Sequence, residues 1–347
     1  SSYLNGRTQY VEINGTKSSL MDITHGVPQG SVLGPILFLL YINDLPNATS
    51  LFSSLFADDT IFVNTNKDLK ILQETTNQEL EKAKLWFQAN KLSLNVSKTK
   101  FVIFRTNKMQ NVDQDFLIKI GDQEVERIGN DCNIKSFKFV GVYLDEYITW
   151  DKHVNHVINK VSSANFALNQ LKKILPLNIR KTIYNSLVKP HIEYSIITWG
   201  NANCEGMKRL KTKQKQAIRN VANASYNAHV DPLLNNLEIL NFDDTLKLCT
   251  AEFIKLLFLD KLPSSFKQIF KPMSSDRVVK LSIQAPKLKA LEKFPNVMFP
   301  RVWNNLNSSI RLSNSCKAVK RSIRNNSLNQ YKIFSCNKNK CYVCNRS

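Results

Sequence analysis

Two adjacent carboxylates, Asp58 and Asp59, are the side chains of this sequence best suited to chemistry. They follow the apolar residues Leu55 and Phe56 and precede the apolar run 61–63, which predicts a strand, a tight turn and a second strand with the acids at the tip. Adjacent negative charges repel each other, and a divalent cation that prefers hard oxygen ligands, Mg²⁺ or Mn²⁺, relieves that repulsion. The alternative is an ordinary acidic hairpin turn, where Asp is common.

The segments on either side of this acidic pair carry clear structural signals. Residues 26–34 form a loop rich in glycine and proline, in which Ser31 is suited to cap a following helix and Pro35 to occupy its first turn. The apolar residues from Ile36 to Leu45 predict a helix that is too hydrophobic for a surface. Downstream, apolar residues recur every three or four positions across 68–90, which predicts a long amphipathic helix.

Short strands are predicted elsewhere in the first 150 residues. Asn14-Gly15 follows an alternating segment and predicts a hairpin, and Gly121 centres a second hairpin within 116–128. Residues 92–104 indicate a turn followed by a strand. Residues 137–144 alternate as one strand, which bends or closely approaches another segment at Gly141.

From Trp150 onward the pattern favours helices. One predicted helix ends at Pro176, and a second is interrupted at Pro190. Two more cover residues 207–222 and 237–257. The chain after Pro263 is richer in Pro, Lys, Ser and Asn, which predicts less regular structure.

Charge is distributed unevenly along the 347 residues, whose net charge is +20. Residues 1–150 carry 15 Lys/Arg and 17 Asp/Glu, a net of −2, whereas residues 151–347 carry 33 Lys/Arg and 11 Asp/Glu, a net of +22. A basic region beside an acidic metal site suits an enzyme that acts on a polyanion. The alternative is a soluble surface that is simply rich in lysine.

Composition restricts the class of protein further. A chain of 347 residues with 43% hydrophobic content is long enough for roughly two domains. Seven irregularly spaced cysteines do not predict a disulfide framework, so we expect a reducing, intracellular location, nucleus or cytoplasm, with no targeting signal. The longest apolar run, 36–42, is too short to span a bilayer, so no membrane partner is expected. The oligomeric state stays open.

Four segments, taken in order, resemble one family: GVPQGSVLGPILFLLYINDLP, LFADDT, LSLNVSKTKF and FVGVYLD. They resemble the reverse transcriptases of non-LTR retrotransposons of the jockey or LINE-like kind. IRKTIYNSLVKPHIEYSIITWG and FPRVWNNLNSSIR also resemble the thumb and carboxy-terminal regions of that family. The resemblance implies an α/β fold of the α+β kind. Its parts would be a right-hand polymerase palm with an antiparallel sheet over 1–150, an all-helical thumb over 151–262 and a basic carboxy-terminal region over 263–347.

The resemblance also implies a role for each matching residue. Asp58 and Asp59 would be catalytic and would bind Mg²⁺ (or Mn²⁺) on the phosphates of the incoming nucleotide and the primer 3′-hydroxyl. Lys98 would contact the triphosphate or protonate the leaving pyrophosphate, unless it is merely a solvated lysine. Gly141 lies in the segment that resembles the primer grip. The residues that would contact the templating base and the incoming nucleotide are Gly26, Pro28, Gln29, Gly30 and Ser31.

The implied activity is RNA-directed DNA polymerisation, with an RNA template, a DNA primer and deoxynucleoside triphosphates as partners. The family uses a third carboxylate on an earlier strand, and neither that motif nor the fingers region is present in this sequence. We therefore expect a fragment with little activity alone. The alternative is a catalytically dead remnant of a mobile element that still binds RNA or DNA.

A basic helix is a candidate nucleic-acid surface, because Lys211, Lys215 and Arg219 recur at i, i+4 spacing on its predicted exposed side. They would contact duplex backbone independently of sequence, unless they only solvate the helix.

Two further groups have metal-like spacing. His153 and His156 lie three residues apart without an obvious third ligand, so we expect exposed or capping histidines. Near the end of the chain, Cys336, Cys341 and Cys344 have zinc-like spacing but no fourth ligand nearby, which leaves zinc binding open.

Overall fold

Four two-residue strands begin the chain in the computed structural model, which describes residues 4–24, 26–106, 116–273, 280–283 and 292–332. The strands are β1 Thr8–Gln9, β2 Glu12–Ile13, β3 Thr16–Lys17 and β4 Met21–Asp22. β2 pairs with β3 across Asn14-Gly15, and β1 pairs with β4, both antiparallel. Asn14 and Gly15 both have positive φ, 50° and 80°, which the Asn-Gly turn requires. The predicted hairpin is confirmed.

The first helix, α1 Leu33–Ile42, begins earlier than predicted and is followed by a 3₁₀ helix at Leu45–Ala48. The expectation that its apolar residues are buried is wrong. Leu40 is 71% exposed, and Leu33, Ile36 and Leu39 are exposed as well. A helix that is apolar all round has more than one apolar side, and here only the side with Phe38 and Ile42 packs inward.

The acidic segment forms the predicted hairpin, with strands β5 Phe52–Phe56 and β6 Asp59–Val63. The predicted amphipathic helix follows as α2 Leu69–Ala89, capped by Asp68, whose side chain accepts from the backbone N–H groups of residues 70 and 71. Leu69, Leu72 and Leu80 of α2 pack against one apolar cluster and Phe87 belongs to another.

Four more short strands complete the first part of the chain: β7 Lys100–Val102, β8 Lys119–Ile120, β9 Gln123–Glu124 and β10 Glu126–Ile128. β8 and β9 form the hairpin predicted around Gly121. β10 pairs with β7 in parallel, which no local sequence pattern indicated. Their apolar side chains form a core with Ile103, Phe116 and Ile118.

Residues 137–144 were predicted to form one strand. They instead form a hairpin of two strands, β11 Phe137–Phe139 and β12 Val142–Leu144. The turn falls at Val140-Gly141, where both residues have positive φ. The predicted close approach at Gly141 is confirmed, since a Cβ added there would lie 2.9 Å from Cε1 of Tyr194.

Helices then dominate, close to the predicted positions. They are α3 Asp151–Leu171, α4 Leu177–Leu187, α5 Lys189–Glu193, α6 Ile196–Trp199, α7 Gly206–Ala222, α8 Val230–Leu237 and α9 Phe242–Phe258. The single helix predicted over 237–257 is corrected to α8 and α9. Glu238 adopts φ +54° and ends α8, and Asn241 caps α9 by accepting from the N–H of Asp244 at 2.8 Å.

Among the described residues beyond Pro263, where order was expected to be less certain, regular structure continues. The elements are α10 Ser265–Ile269, α11 Pro295–Asn304, α12 Ser308–Arg311 and α13 Cys316–Lys332. Apolar burial explains them, because Trp303, Val319 and Ile323 sit in a core with Ile254 of α9. Among the described helices, none has the length and apolar character needed to cross a membrane.

Two compact units make up the chain, Ser1–Ile128 and Gly129–Ser347. Both follow the mixed helix and strand class, with small, mainly antiparallel two-stranded sheets. The units divide earlier than residue 150, because the β11–β12 hairpin packs against α3. The assignment of palm, thumb and carboxy-terminal region stays a prediction.

Candidate functional site

The hairpin that carries the two aspartates closes on a two-residue turn. Its register runs from Phe52 opposite Val63 to Phe56 opposite Asp59, which leaves Ala57 and Asp58 between the strands. Ala57 has φ +51°, a left-handed conformation that costs a non-glycine residue about 1 kcal/mol. Backbone strain of this kind clusters at functional turns.

One face of this hairpin is packed and the other is open. Leu55 and Phe62 pack against the cluster of Ile42, Leu45 and Phe87, whereas Phe52 and Phe56 are 67% and 61% exposed. The alternation follows from the two-residue period of a strand. The buried side chains therefore orient the turn relative to α1 and α2.

Asp58 and Asp59 are both exposed, and neither carboxylate has a hydrogen bond or ion pair with any other described residue. Two neighbouring carboxylates offer the hard oxygen donors that Mg²⁺ and Mn²⁺ prefer, and such ions usually complete their shell with water and substrate phosphates. The donor set fits a shared divalent ion. Across the described ranges, no third His, Cys, Asp or Glu joins them in a metal-binding group.

The loop before α1 is shaped by two left-handed glycines. Gly26 and Gly30 both have φ +79°, and a Cβ at either would meet open space, so backbone conformation rather than packing requires glycine. Ser31 Oγ donates to the Pro28 carbonyl at 2.7 Å and accepts from the Gly34 N–H at 3.1 Å, but the N-cap position of α1 is Val32 rather than the predicted Ser31. Gln29 is exposed on this loop.

Lys98 lies on a turn that Asn95 organises. The Asn95 carbonyl accepts from the N–H groups of Lys98 and Thr99 at 3.2 and 3.1 Å, and its side-chain oxygen accepts from Ser97 Oγ at 2.7 Å. The Lys98 side chain is exposed. A cavity of about 70 Å³ is lined by both Thr60 and Thr99, so the residues next to Asp59 and next to Lys98 reach one region of the first unit.

Of the three basic residues predicted on the exposed side of α7, Lys215 is exposed, whereas Lys211 and Arg219 are partly buried, and their contact with nucleic acid stays a prediction. Lys211 pairs with Asp243 at 2.6 Å and lies over the Phe242 ring. Arg219 donates from Nε to the Ala228 carbonyl at 2.8 Å. Lys215 is exposed, and Lys208 and Arg209 are the other exposed cations of the helix. Lys211 and Arg219 therefore both contact residues that follow α7 in the sequence.

The expectation of exposed histidines on α3 is also wrong for His153, which is 3% exposed. Its Nδ1 accepts from the Tyr143 N–H at 3.4 Å, and its ring packs edge-on against Trp199. Burial, then the positive charge of His156, lowers the pKa of His153 to about 4. His153 therefore belongs to the core, on the same helix side as Val154 and Val157. Cys336, Cys341 and Cys344 lie outside the described residues.

Sequence reasoning missed one residue close to the acidic hairpin, the buried Glu79 of α2. Its carboxylate accepts from residues just before β5. The only sequence signal was a charged residue within the otherwise apolar stripe of an amphipathic helix.

Comparison with known proteins places this geometry in context. Residues 1–144 match the family model described as reverse transcriptase (RNA-dependent DNA polymerase). The chain is 24% identical over 270 residues to the RNA-directed DNA polymerase from mobile element jockey of Drosophila melanogaster, covering 74% of this chain and 28% of that protein. It is 26% identical over 252 residues to the probable RNA-directed DNA polymerase from transposon X-element of the same species, covering 70% and 26%.

A third relative, the probable RNA-directed DNA polymerase from transposon BS of Drosophila melanogaster, is 24% identical over 264 residues, covering 73% of this chain and 28% of the relative. The chain thus spans little more than a quarter of the length of these relatives. No solved structure matches the chain significantly.

Proposed function

We propose, from the similarity of this chain to the reverse transcriptases of jockey-like mobile elements, that it is part of an RNA-directed DNA polymerase whose metal-binding turn is Asp58-Asp59. The observation that carries the proposal is the two-residue hairpin turn with adjacent, exposed and unshared carboxylates, inside the region that matches the family. The positive φ of Ala57 is what a two-residue hairpin turn requires at its first central position.

Polymerases of this family generally use divalent metal ions. Mg²⁺ or Mn²⁺ held by Asp58 and Asp59 would neutralise charge on the triphosphate and lower the pKa of the attacking hydroxyl. The chain itself positions the two carboxylates. Leu55 and Phe62 pack the hairpin in place, and the turn leaves both carboxylates exposed to solvent, where a substrate can reach them.

Lys98 is the proposed partner of the nucleotide phosphates. Its turn is prearranged by Asn95, so little backbone entropy is lost when its exposed ammonium meets an anion. A protonated lysine beside the leaving pyrophosphate can donate a proton as the phosphate bond breaks.

The loop of Gly26, Pro28, Gln29, Gly30 and Ser31 is proposed to contact the templating base and the incoming nucleotide. Open space over both left-handed glycines allows a planar ligand to approach the backbone, and the Gln29 amide can both donate and accept hydrogen bonds. The partners are then an RNA template, a DNA primer and deoxynucleoside triphosphates.

In the same proposal residues 1–150 form the palm, residues 151–262 form the helical thumb and residues 263–347 form a basic carboxy-terminal region. A net charge of +22 over residues 151–347 supports a polyanionic partner for the helical part. Gly141 would lie beside the primer, and the nucleus or cytoplasm would be the place of action.

The test is addition of single nucleotides to a DNA primer on an RNA template, with Mg²⁺ or Mn²⁺. We expect weak, template-matched addition by the wild-type chain, lost in Asp58→Asn and Asp59→Asn and retained in the control Asp22→Asn, an exposed aspartate of β4. Addition that both substitutions leave unchanged would overturn the assignment of the site, and so would robust addition that needs no metal.

A second candidate function is binding of an RNA–DNA hybrid without catalysis. The observation that favours it is the net charge of +22 over residues 151–347, which suits a polyanionic partner with or without catalysis. In that case hybrid binding would be tight and salt-dependent while primer extension stayed at background in wild-type and substituted chains alike.

A further inference from the structure

The residues just before and just after the acidic hairpin contact the same helix, α2. Just before β5, the Thr49 hydroxyl donates to Oε2 of Glu79 at 2.9 Å, and the Ser50 backbone N–H donates to the same oxygen at 2.6 Å. Glu79 is only 9% exposed, so these contacts are shielded from water. The chain entering the hairpin is therefore fixed to one point on the helix.

The chain leaving the hairpin is fixed one helical turn away. Just after β6, Asn64 donates from Nδ2 to the hydroxyl oxygens of Thr75 and Thr76, at 3.0 and 2.9 Å. Each hydroxyl in turn donates to a backbone carbonyl of α2, Thr75 to Ile71 at 2.7 Å and Thr76 to Leu72 at 2.6 Å. Every polar group in this contact has a partner, as buried polar groups require.

The Glu79 carboxylate stays charged across the working pH range. Lys82 pairs with Oε1 at 2.6 Å, and this contact, followed by the Ser50 N–H, lowers the pKa of Glu79 to about 2 despite its burial. Hydrogen bonds to an ionised acceptor are the shorter and stronger kind. A neutral acceptor at this position would hold the strand less firmly.

A two-stranded hairpin is only marginally stable by itself, and within the described residues β5 and β6 pair with no third strand. Packing of Leu55 and Phe62 fixes which face points inward, but apolar contacts are not directional. The polar contacts before β5 and after β6 fix where the hairpin sits along α2. Because the turn lies at the opposite end of the same two strands, these contacts also fix the position of the turn.

We infer that Glu79 and Asn64 are positioning residues that hold the two ends of the β5–β6 hairpin on α2 and thereby set the geometry of the Asp58-Asp59 metal site. The inference rests on the proposed function for the identity of that site. Neither residue touches substrate or metal in this account.

Helix α2 offers matched controls, because a second glutamate and a second asparagine hold a different hairpin. Glu81 accepts from the Gly121 N–H at 3.1 Å and pairs with Lys84 at 2.8 Å. Asn77 accepts from the Lys119 N–H at 2.9 Å and donates to the Leu117 carbonyl at 3.2 Å. Both act on the β8–β9 hairpin.

The experiment measures amide hydrogen exchange by mass spectrometry without metal, and then the Mn²⁺ dissociation constant by electron paramagnetic resonance. In Glu79→Ala and in Asn64→Ala we expect exchange over residues 52–63 to rise roughly tenfold or more, and Mn²⁺ affinity to fall about tenfold. In the controls Glu81→Ala and Asn77→Ala, exchange rises over 117–124 instead, and Mn²⁺ affinity is unchanged. Glu79→Gln keeps one acceptor oxygen but loses the charge, so it recovers only part of the protection.

Unchanged exchange over 52–63 in both hairpin variants would overturn the inference, and so would equal loosening of both hairpins by all four substitutions. If Glu79→Ala unfolds the whole unit, exchange over residues 52–63 in Asn64→Ala alone supports or overturns the inference. A failure of the proposed function looks different, since the wild-type chain would then bind no Mn²⁺ through Asp58 and Asp59, whatever the exchange pattern.

Discussion

The hydroxyl of Tyr194 donates a hydrogen bond to the backbone carbonyl of Val140 at 2.6 Å, which seats the tyrosine ring directly over the β11–β12 turn. The ring occupies the space that a side chain at the next residue, Gly141, would need. This one contact joins the hairpin that resembles a primer grip to the segment following α5.

Substitution Gly141→Ala is therefore expected to destabilise the second unit by about 1–3 kcal/mol, because the new Cβ would lie 2.9 Å from Cε1 of Tyr194 and φ is +81°. Urea unfolding measures the change. In a Tyr194→Ala background the steric part disappears, so the same substitution should cost clearly less. Equal costs in both backgrounds would contradict the close approach.

Burial of His153 predicts stability that depends on pH. Its pKa is about 4 in the folded chain against an ordinary 6.5, so the unfolded chain binds more protons between those values. Stability is then fully present above about pH 6.5 and falls as pH drops toward 4, with a slope of at most about 1.4 kcal/mol per pH unit from this group.

Urea unfolding at several pH values checks this slope, with His153→Gln as the test and His156→Gln as the control. His153→Gln should flatten the curve between pH 4 and 6.5. The half-buried His156 contributes less, because burial lowers its pKa without enclosing the ring. An unchanged slope in His153→Gln would show that His153 is not neutral and buried.

The exposure of α1 gives a direct test on apolar residues. Leu40→Ser, at a 71% exposed position, should change stability by less than about 0.5 kcal/mol. Ile42→Ala, at a 3% exposed position of the same helix, should cost about 2–5 kcal/mol. Comparable losses for the two substitutions would mean that α1 is buried on all sides.

Helix α7 carries an exposed cation, Lys215, and a cation paired with a carboxylate, Lys211, whose effects can be compared. Lys215→Ala should weaken binding to an RNA–DNA hybrid and lower the salt-dependence slope by about one, with no loss of stability. Lys211→Ala should instead remove the Asp243 pair and cost up to about 1 kcal/mol of stability. Fluorescence anisotropy over a salt series measures the binding. Equal binding losses for both substitutions would contradict the distinction.

Local signals in the sequence were sufficient for several elements. Asn14-Gly15 marked a turn, the three-and-four spacing marked α2, and the apolar runs around Asp58 marked the β5–β6 hairpin. Each of these depends on residues that are neighbours in the chain, so a short stretch contains the whole physical cause.

Contacts between distant residues were not predictable in the same way. The parallel pairing of β7 with β10, the Lys211 pair with Asp243 and the Glu79 contacts with Ser50 each join segments about thirty residues apart. Hydrophobic periodicity also could not say which side of the uniformly apolar α1 faces solvent, nor that His153 lies on the buried side of α3.

Mn²⁺ binding, measured by electron paramagnetic resonance, tests most directly whether Asp58 and Asp59 form a metal site. We predict that the wild-type chain and Asp22→Asn bind Mn²⁺, that Mg²⁺ displaces it, and that Asp58→Asn and Asp59→Asn each lose this binding. Mn²⁺ binding that is identical in the wild-type chain and in both hairpin variants would contradict the assignment of the Asp58-Asp59 turn as the metal site.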